Sequence, residues 1–399
     1  MWGFVSIGAS SALTVVLTVV AARGGAQMLG EFAACLSAYV VGAAVCRALV
    51  PDVAIVTARS DDNSRELRAR EGATMLVVAA TLPLMSLIVA LQAQAPAWTT
   101  LLLSLLMAGP VLQDSARFLL IARDSYRVAA VADLLALVSL SALLGALILL
   151  GRSISLLSVV SVWSAVTFGA AVWVLVRSRA LPSVRGGMNF LLGNRRLAAG
   201  FLTDSGLTMV GSQTVLSMMS ALAGVPALGA WRAAQSAMGP FGTVFQAVQP
   251  LAIRHASVSG AAKRMLGQLA AGSAFLAAMA ALASHLLTTI LSPLGKAVFS
   301  QAWGDVQAII VPATVYLVGS WLTLVPVVFF RSTKRAGSLA ALRGLSVSIQ
   351  IIAAAVAFSL IDNFAQACQV IAGVQFLVAV VWWGVMYISV RHIGGDVAA

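Results

Sequence analysis

Residues 30–56 read GEFAACLSAYVVGAAVCRALVPDVAIV. Acidic residues, Glu31 and Asp52, lie towards the two ends, and a single arginine, Arg47, interrupts the interior. The run is continuous rather than alternating, and it is long enough to cross a hydrocarbon core, which takes about 20 predominantly apolar residues per helical span. It reads as a membrane helix.

The rest of the chain has the same texture. Of 399 residues, 60% are hydrophobic and 10% charged, and mean hydropathy is +0.98. A soluble domain of this size carries about 25% charged residues. Breaks in the apolar pattern predict spans at 3–22, 30–56, 73–93, 98–121, 128–150 and 155–176. A second set follows at 198–222, 228–253, 265–291, 306–330, 337–360 and 364–390. Twelve spans leave no room for a separate soluble domain. A β-barrel needs short alternating strands, whereas these runs are continuous and rich in Leu, Ala and Val. The first 22 residues lack a basic start and a second span follows at once, so they read as a retained first helix rather than a cleaved leader. Cys35, Cys46 and Cys368 lie inside apolar runs, without disulfide or zinc spacing, and read as small core residues.

Basic residues in short loops orient such a chain. With the N-terminus in the cytoplasm, the inner loops and tail hold Arg59, Arg65, Arg68, Arg70, Arg123, Arg127, Arg177, Arg179, Arg185, Arg195, Arg196, Arg254, Lys263, Arg264, Arg331, Lys334, Arg335 and Arg391. The outer loops hold only Arg23, Arg152 and Lys296. The expected location is a plasma (inner) membrane, crossed many times, with both termini cytoplasmic. The net charge of +12 then reflects topology and contact with anionic membrane lipids. Scattered over separate short loops, it does not form a nucleic-acid surface.

The chain also repeats itself at an offset of 199 residues. Gly30-Glu31-Phe32-Ala33-Ala34-Cys35-Leu36-Ser37-Ala38 aligns with Gly229-Ala230-Trp231-Arg232-Ala233-Ala234-Gln235-Ser236-Ala237. Val45, Ala48 and Pro51 match Val244, Ala247 and Pro250, so that 7 of 22 ungapped positions are identical. Spans two and eight run in the same direction, as a parallel repeat of two six-helix halves requires. The expected fold class is an all-α polytopic membrane protein of about twelve helices, in two pseudo-symmetric lobes around a central cavity. Residues 1–176 form the N-terminal lobe, 177–197 a cytoplasmic linker and 198–399 the C-terminal lobe. The linker's Met188-Asn189-Phe190-Leu191-Leu192 segment, between arginines, suits the inner membrane surface.

A charged side chain at mid-bilayer costs at least about 2.5–3.5 kcal/mol and marks a bundle interior or a wet cavity. Span eight carries Arg232, Gln235, Ser236, Gly239, Gly242, Thr243, Gln246 and Gln249 at steps of three and four. That polar stripe reads as cavity lining rather than small-residue helix packing. Arg47 occupies the repeat position of Gln246, roughly 18 Å of helix from the basic inner loop. Pro51 and Pro250 each free the carbonyl four residues earlier, putting a kink beside a polar residue in both halves. Arg343 lies two turns into span eleven, where it faces the cavity or reaches the headgroups. Asp114 and Arg117 are helix-surface neighbours, read either as a neutralising pair or as coupling groups. Asp133 and Asp204, near inner helix ends, are read either as interfacially solvated or as a proton relay. His285 reads as structural, and Trp98, Trp303, Trp382 and Trp383 as interfacial anchors. No phosphate-binding loop, metal-ligand cluster or cofactor motif is present, and the outer loops hold no group of catalytic carboxylates or histidines. The chain is therefore expected to be neither an ATPase nor another enzyme, and to need no cofactor.

Two six-helix lobes, a basic linker, the segment Ala227-Leu228-Gly229-Ala230-Trp231-Arg232-Ala233-Ala234-Gln235-Ser236, and Leu112-Gln113-Asp114-Ser115-Ala116-Arg117-Phe118-Leu119-Leu120-Ile121-Ala122-Arg123 resemble the bacterial polysaccharide transporters. These are lipid-linked oligosaccharide flippases of the multidrug/oligosaccharidyl-lipid/polysaccharide exporter superfamily. The resemblance implies alternating access. A polyprenyl-(pyro)phosphate-linked oligosaccharide would enter from the cytoplasm and leave at the outer leaflet for polysaccharide (O-antigen or capsule) export, with glycan polymerase or assembly proteins as partners. Arg47, Arg232 and Arg343 become the candidates for gripping pyrophosphate, and Gln235, Gln246 and Gln249 for bonding sugar hydroxyls. Asp114, Arg117, Asp133 and Asp204 become candidates for ion coupling or a structural pair. A multidrug exporter of the same superfamily is the first alternative. A membrane glycan-assembly enzyme or scaffold is the second.

Overall fold

The computed structural model describes residues 2–57, 64–123, 125–150, 154–178, 181–239, 241–242, 262–332 and 335–395. Among these there is no strand. The helices are α1 (Trp2–Arg23), α2 (Ala26–Leu49), α3 (Pro51–Thr57), α4 (Ser64–Ala93), α5 (Ala97–Leu106), α6 (Ala108–Ala122), α7 (Tyr126–Leu149) and α8 (Leu156–Ser178). They continue as α9 (Val184–Gly193), α10 (Arg195–Ala223), α11 (Val225–Ala237), α12 (Ala262–Thr288), α13 (Ser292–Phe299), α14 (Trp303–Leu322), α15 (Leu324–Ser332), α16 (Ala336–Leu360) and α17 (Phe364–Gly395). The all-α polytopic architecture is as expected. Ten helical stretches among the described residues are long and apolar enough to cross a membrane. The seventh and eighth expected spans are not among them. Gln213 and a series of Ser and Thr dilute the apolarity of α10, and span eight passes beyond the described residues.

Prolines divide several spans. Span two is α2 followed by α3, broken at Val50 immediately before Pro51, so the expected kink is present. Pro250, its repeat counterpart, lies outside the described residues. Two further breaks share one construction that the sequence reading did not single out. Span four is α5 then α6, and span ten is α14 then α15; Pro110 and Pro326 each stand third in the second piece. A proline has no N–H to give the carbonyl four residues earlier and collides with it; at Pro110 and Pro326 the helix parts, whereas Pro83 and Pro312 lie inside continuous helices. For Pro326 that carbonyl belongs to Leu322, and it accepts a hydrogen bond from Trp383 Nε1 at 2.9 Å. Trp383 thus closes a proline break. Trp382 and Trp303 are buried, Trp382 donating to Ser346 Oγ at 2.8 Å and Trp303 stacking on Phe299. Neither is an interfacial anchor of the kind expected, whereas Trp98 is exposed.

The repeat is visible in the backbone. Gly25 and Gly224, 199 residues apart, hold φ values of +100° and +95° with ψ near 170°, a region open essentially to glycine alone. Each stands between two consecutive helices, Gly25 before α2 and Gly224 after α10. Five residues on, the paired positions Gly30 and Gly229 touch. A side chain on Gly30 would run into the Val225 carbonyl, and one on Gly229 into the Gly30 backbone.

The chain forms two compact units, Met1–Gly229 and Ala230–Ala399. In the first, α10 packs on α2 and α4. Buried Gln92 donates to Gln213 at 3.2 Å and Ser217 at 3.3 Å, while Ser220 donates to the Gln92 carbonyl at 2.5 Å. In the second unit, Val325, Phe329, Phe330, Leu342, Val378 and Trp382 form a buried apolar cluster. Also in the first unit, α9 is docked against α4.

Gly30→Ala is expected to lower stability by about 1–3 kcal/mol through overpacking against backbone. Gly8→Ala, with no atom within 4 Å of the added methyl, should be neutral or stabilising. Melting midpoints of the purified variants in detergent test the pair, and equal midpoints would show that the Gly30–Val225 approach is not formed.

Candidate functional site

Four of the singled-out charges meet inside the first unit. Arg47 on α2 donates to Asp114 on α6 twice, from Nε to Oδ2 at 2.5 Å and from Nη2 to Oδ1 at 2.6 Å. Arg117, one turn along α6, also donates to Asp114 Oδ1. Asp114 therefore receives three charge-assisted hydrogen bonds, two of them as a guanidinium fork, which is the strongest common pairing geometry. Arg117 reaches on to Asp133 of α7 at 3.8 Å. Asp133 also accepts from Gln113 at 3.0 Å and from Ser6 of α1. Four helices are joined through two arginines and two aspartates whose formal charges cancel.

Local sequence explains the placement. Gln113, Asp114 and Arg117 fall within about one turn of α6, so they project to one side, and that helix starts at Ala108, two residues before Pro110. The break at Pro51 falls one turn after Arg47 on α2. Phe118 supplies a ring beneath both guanidiniums, 4.4 Å from Arg47 and 5.1 Å from Arg117, within cation–π range. A cavity of about 20 Å³ adjoins the cluster, bounded by Ser10, Thr14, Tyr39, Gln113, Asp114, Arg117, Asp133 and Trp163. That is room for about one water.

Exposure separates the members. The side chains of Asp114, Asp133 and Arg117 are 1%, 2% and 9% exposed, while that of Arg47 is 32% exposed. Three groups are buried and paired with one another, with Arg117 Nε left without a hydrogen-bond partner, and Arg47 is presented at their edge. Two of its five N–H donors serve Asp114.

The other candidates are distributed differently. In the second unit Arg232 donates to Gln235 at 3.3 Å, beside Trp231, whose ring packs edge-on against Tyr316. Arg343 stands 5.6 Å over the Trp382 ring. Gln246 and Gln249 lie outside the described residues, as does the side chain of Asp204. Sequence reasoning missed Ser6, Gln113, Tyr39 and Phe118. Among these only Gln113 carried a signal, as a polar residue one position before Asp114 within an apolar span. Among the described residues there is no group of three or more His, Cys, Asp or Glu suited to a metal.

No family model matches the chain, and no curated protein matches it significantly. Solved structures do match. The inward-facing form of a multidrug resistance MATE family transporter of the MOP superfamily aligns over 96% of this chain and 94% of its own, with TM-score 0.65 and 13% identity. A MOP superfamily transporter from Pyrococcus furiosus, described by the reverse polarity of its binding pocket, aligns over 97% and 94%, with TM-score 0.62 and 13% identity. The lipid II flippase MurJ, inward closed, aligns over 93% and 86%, with TM-score 0.60 and 12% identity. This chain shares their fold.

Asp114→Ala leaves two guanidiniums without their shared carboxylate and is expected to cost about 3–5 kcal/mol. Arg47→Ala leaves Asp114 paired with Arg117 and should cost less. A double-mutant cycle on Arg47 and Asp114, read by thermal unfolding in detergent, should give a coupling above about 1 kcal/mol. Additive effects would rule out the fork.

Proposed function

We propose that this chain is a membrane transporter that flips a polyprenyl-(pyro)phosphate-linked oligosaccharide between leaflets by alternating access, for polysaccharide export. The observation that carries the reading is Arg47: a guanidinium inside a membrane span, held by a buried carboxylate and partly accessible, with three donors beyond the Asp114 fork. Pyrophosphate is a dense, multivalent anion, and an arginine fork matches its oxygens bidentately. The fold supports the reading, since a lipid II flippase has it. Arg232, Gln235, Gln246, Gln249 and Arg343 remain our candidates for further substrate contacts. Glycan polymerase or assembly proteins are the proposed partners, and a plasma membrane with both termini cytoplasmic is the proposed setting.

The buried cluster fits a division of labour. Asp114 fixes Arg47, so the guanidinium is already ordered when the anion arrives and little side-chain entropy is lost on binding. Asp133 has one arginine at 3.8 Å and two neutral donors. It is the less firmly paired carboxylate and our candidate for the point where a coupling cation or proton acts. Membrane potential offers a second source of work, about 2.3 kcal/mol per charge per 100 mV.

A multidrug exporter is the second reading, favoured by the likeness to MATE transporters. It predicts recognition of cations, for which a partly exposed Arg47 is the wrong sign.

In a strain lacking the gene, polyprenyl-linked oligosaccharide should accumulate on the cytoplasmic side, shielded from an outer-face probe. Wild-type protein should reverse the accumulation, and Arg47→Ala should reduce the rescue at least tenfold at equal expression. Absence of accumulation, together with increased sensitivity to cationic drugs, would replace this reading with the second.

A further inference from the structure

We infer that the first unit carries a binding site for a net-negative phosphodiester lipid headgroup at the junction of α4 and α9. A cleft of about 930 Å³ lies there, and Arg65, Arg68, Arg70 and Arg185 line it together with Asn189 and Asn194. Among the described residues its one acidic lining residue is Glu66, which pairs with Arg70 at 3.4 Å. Counting Asp61 and Asp62, which precede it in sequence, beside Glu66, four arginines face three carboxylates, a net charge of +1 that suits a singly charged anion.

The cleft is built into the fold. Ser183 donates its backbone N–H to the Arg68 carbonyl at 2.9 Å, and its hydroxyl accepts from Gly186 N at 3.2 Å, capping α9. Gly187 lies against the backbone of Gly72 and Ala73, and Gly72 against the Ser183 backbone, with no room for a side chain at either glycine. This glycine-mediated latch fixes α9 along α4. Arg185 and Asn189, four residues apart on α9, are thereby held beside the arginines of α4.

The remaining face of α9 indicates a lipid rather than a soluble anion. Val184, Met188 and Leu192 are 61%, 47% and 60% exposed, and their spacing of four places them in one stripe. An apolar stripe flush with a cationic cleft is the arrangement of a helix lying in the membrane interface. Its apolar side meets acyl chains and its basic edge meets headgroups. Each arginine near an anionic surface contributes about 1 kcal/mol, or about fivefold in affinity. The site is separate from the Arg47 cluster, and the inference does not rest on the transport reading.

The test uses the full chain in a neutral detergent, with lipid retention followed by native mass spectrometry. Titrants are phosphatidylglycerol, zwitterionic phosphatidylcholine and inorganic phosphate. Phosphatidylglycerol should bind at least fivefold more tightly than phosphatidylcholine. Arg68→Ala and Arg185→Ala should each reduce that affinity about fivefold, and Met188→Ser should weaken lipid retention without altering phosphate binding. Both arginines are exposed; Arg68→Gln and Arg185→Gln, which keep most of the stem, replace the alanine variants if those do not fold, with the same expected loss. Equal retention of the two lipids, or unchanged retention in the double variant, would overturn the inference. Displacement of the lipid by millimolar phosphate, with Met188→Ser indifferent, would overturn it in favour of a soluble phosphate site.

Discussion

Charge inside hydrocarbon has to be matched there, and in this protein Asp114 does the matching. Its two oxygens take Arg47 from α2 and Arg117 from its own helix, and Arg117 extends the chain of pairs to α7. Taking Asp114 away strands both arginines, and an unpaired buried ion costs several kcal/mol. The cluster therefore ties α1, α2, α6 and α7 together. It also leaves one consequence for function: Arg47 is both charged and held in place.

Backbone exceptions let the helices reach this arrangement. Proline interrupts spans at Pro51, Pro110 and Pro326, and in the last case Trp383 supplies the hydrogen bond that the broken ladder leaves open. Glycine works in the opposite sense, by removing bulk. Gly30 and Gly229 allow two helices to touch at backbone distance, and Gly72 and Gly187 do the same for α4 and α9. That both Gly25/Gly224 and Gly30/Gly229 fall at the repeat offset indicates that the two halves retain the same turn and the same helix approach, although little side-chain identity survives.

Much of this was legible in the sequence. Membrane helices announce themselves through length and apolarity, so the all-α class and ten of the twelve expected spans followed directly. The pairing of Asp114 with Arg117 followed from helical spacing. The Arg47–Asp114 fork did not, because it joins residues 67 positions apart and no local pattern encodes which helices become neighbours. Ser6 was invisible for the same reason, as one hydroxyl in an apolar run. Trp303, Trp382 and Trp383 were misread because indole at a span end has two uses, anchoring at the interface and satisfying buried carbonyls and hydroxyls, and only the tertiary structure distinguishes them. The repeat was detectable from seven identities, five of them Ala, Ser or Val, and of these only Gly30/Gly229 coincides with a backbone contact that the structure describes.

The claim that Arg47 is an anion grip preset by Asp114 is tested most directly by binding of farnesyl pyrophosphate, a short lipid pyrophosphate, to the purified protein. Arg47→Ala should weaken binding at least tenfold, about 1.4 kcal/mol or more, and Arg47→Lys should restore part of it, since a point charge lacks the fork. If Arg47→Ala binds the pyrophosphate as wild type does, in folded protein, the arginine is a structural ion-pair partner only and the account of the site is wrong.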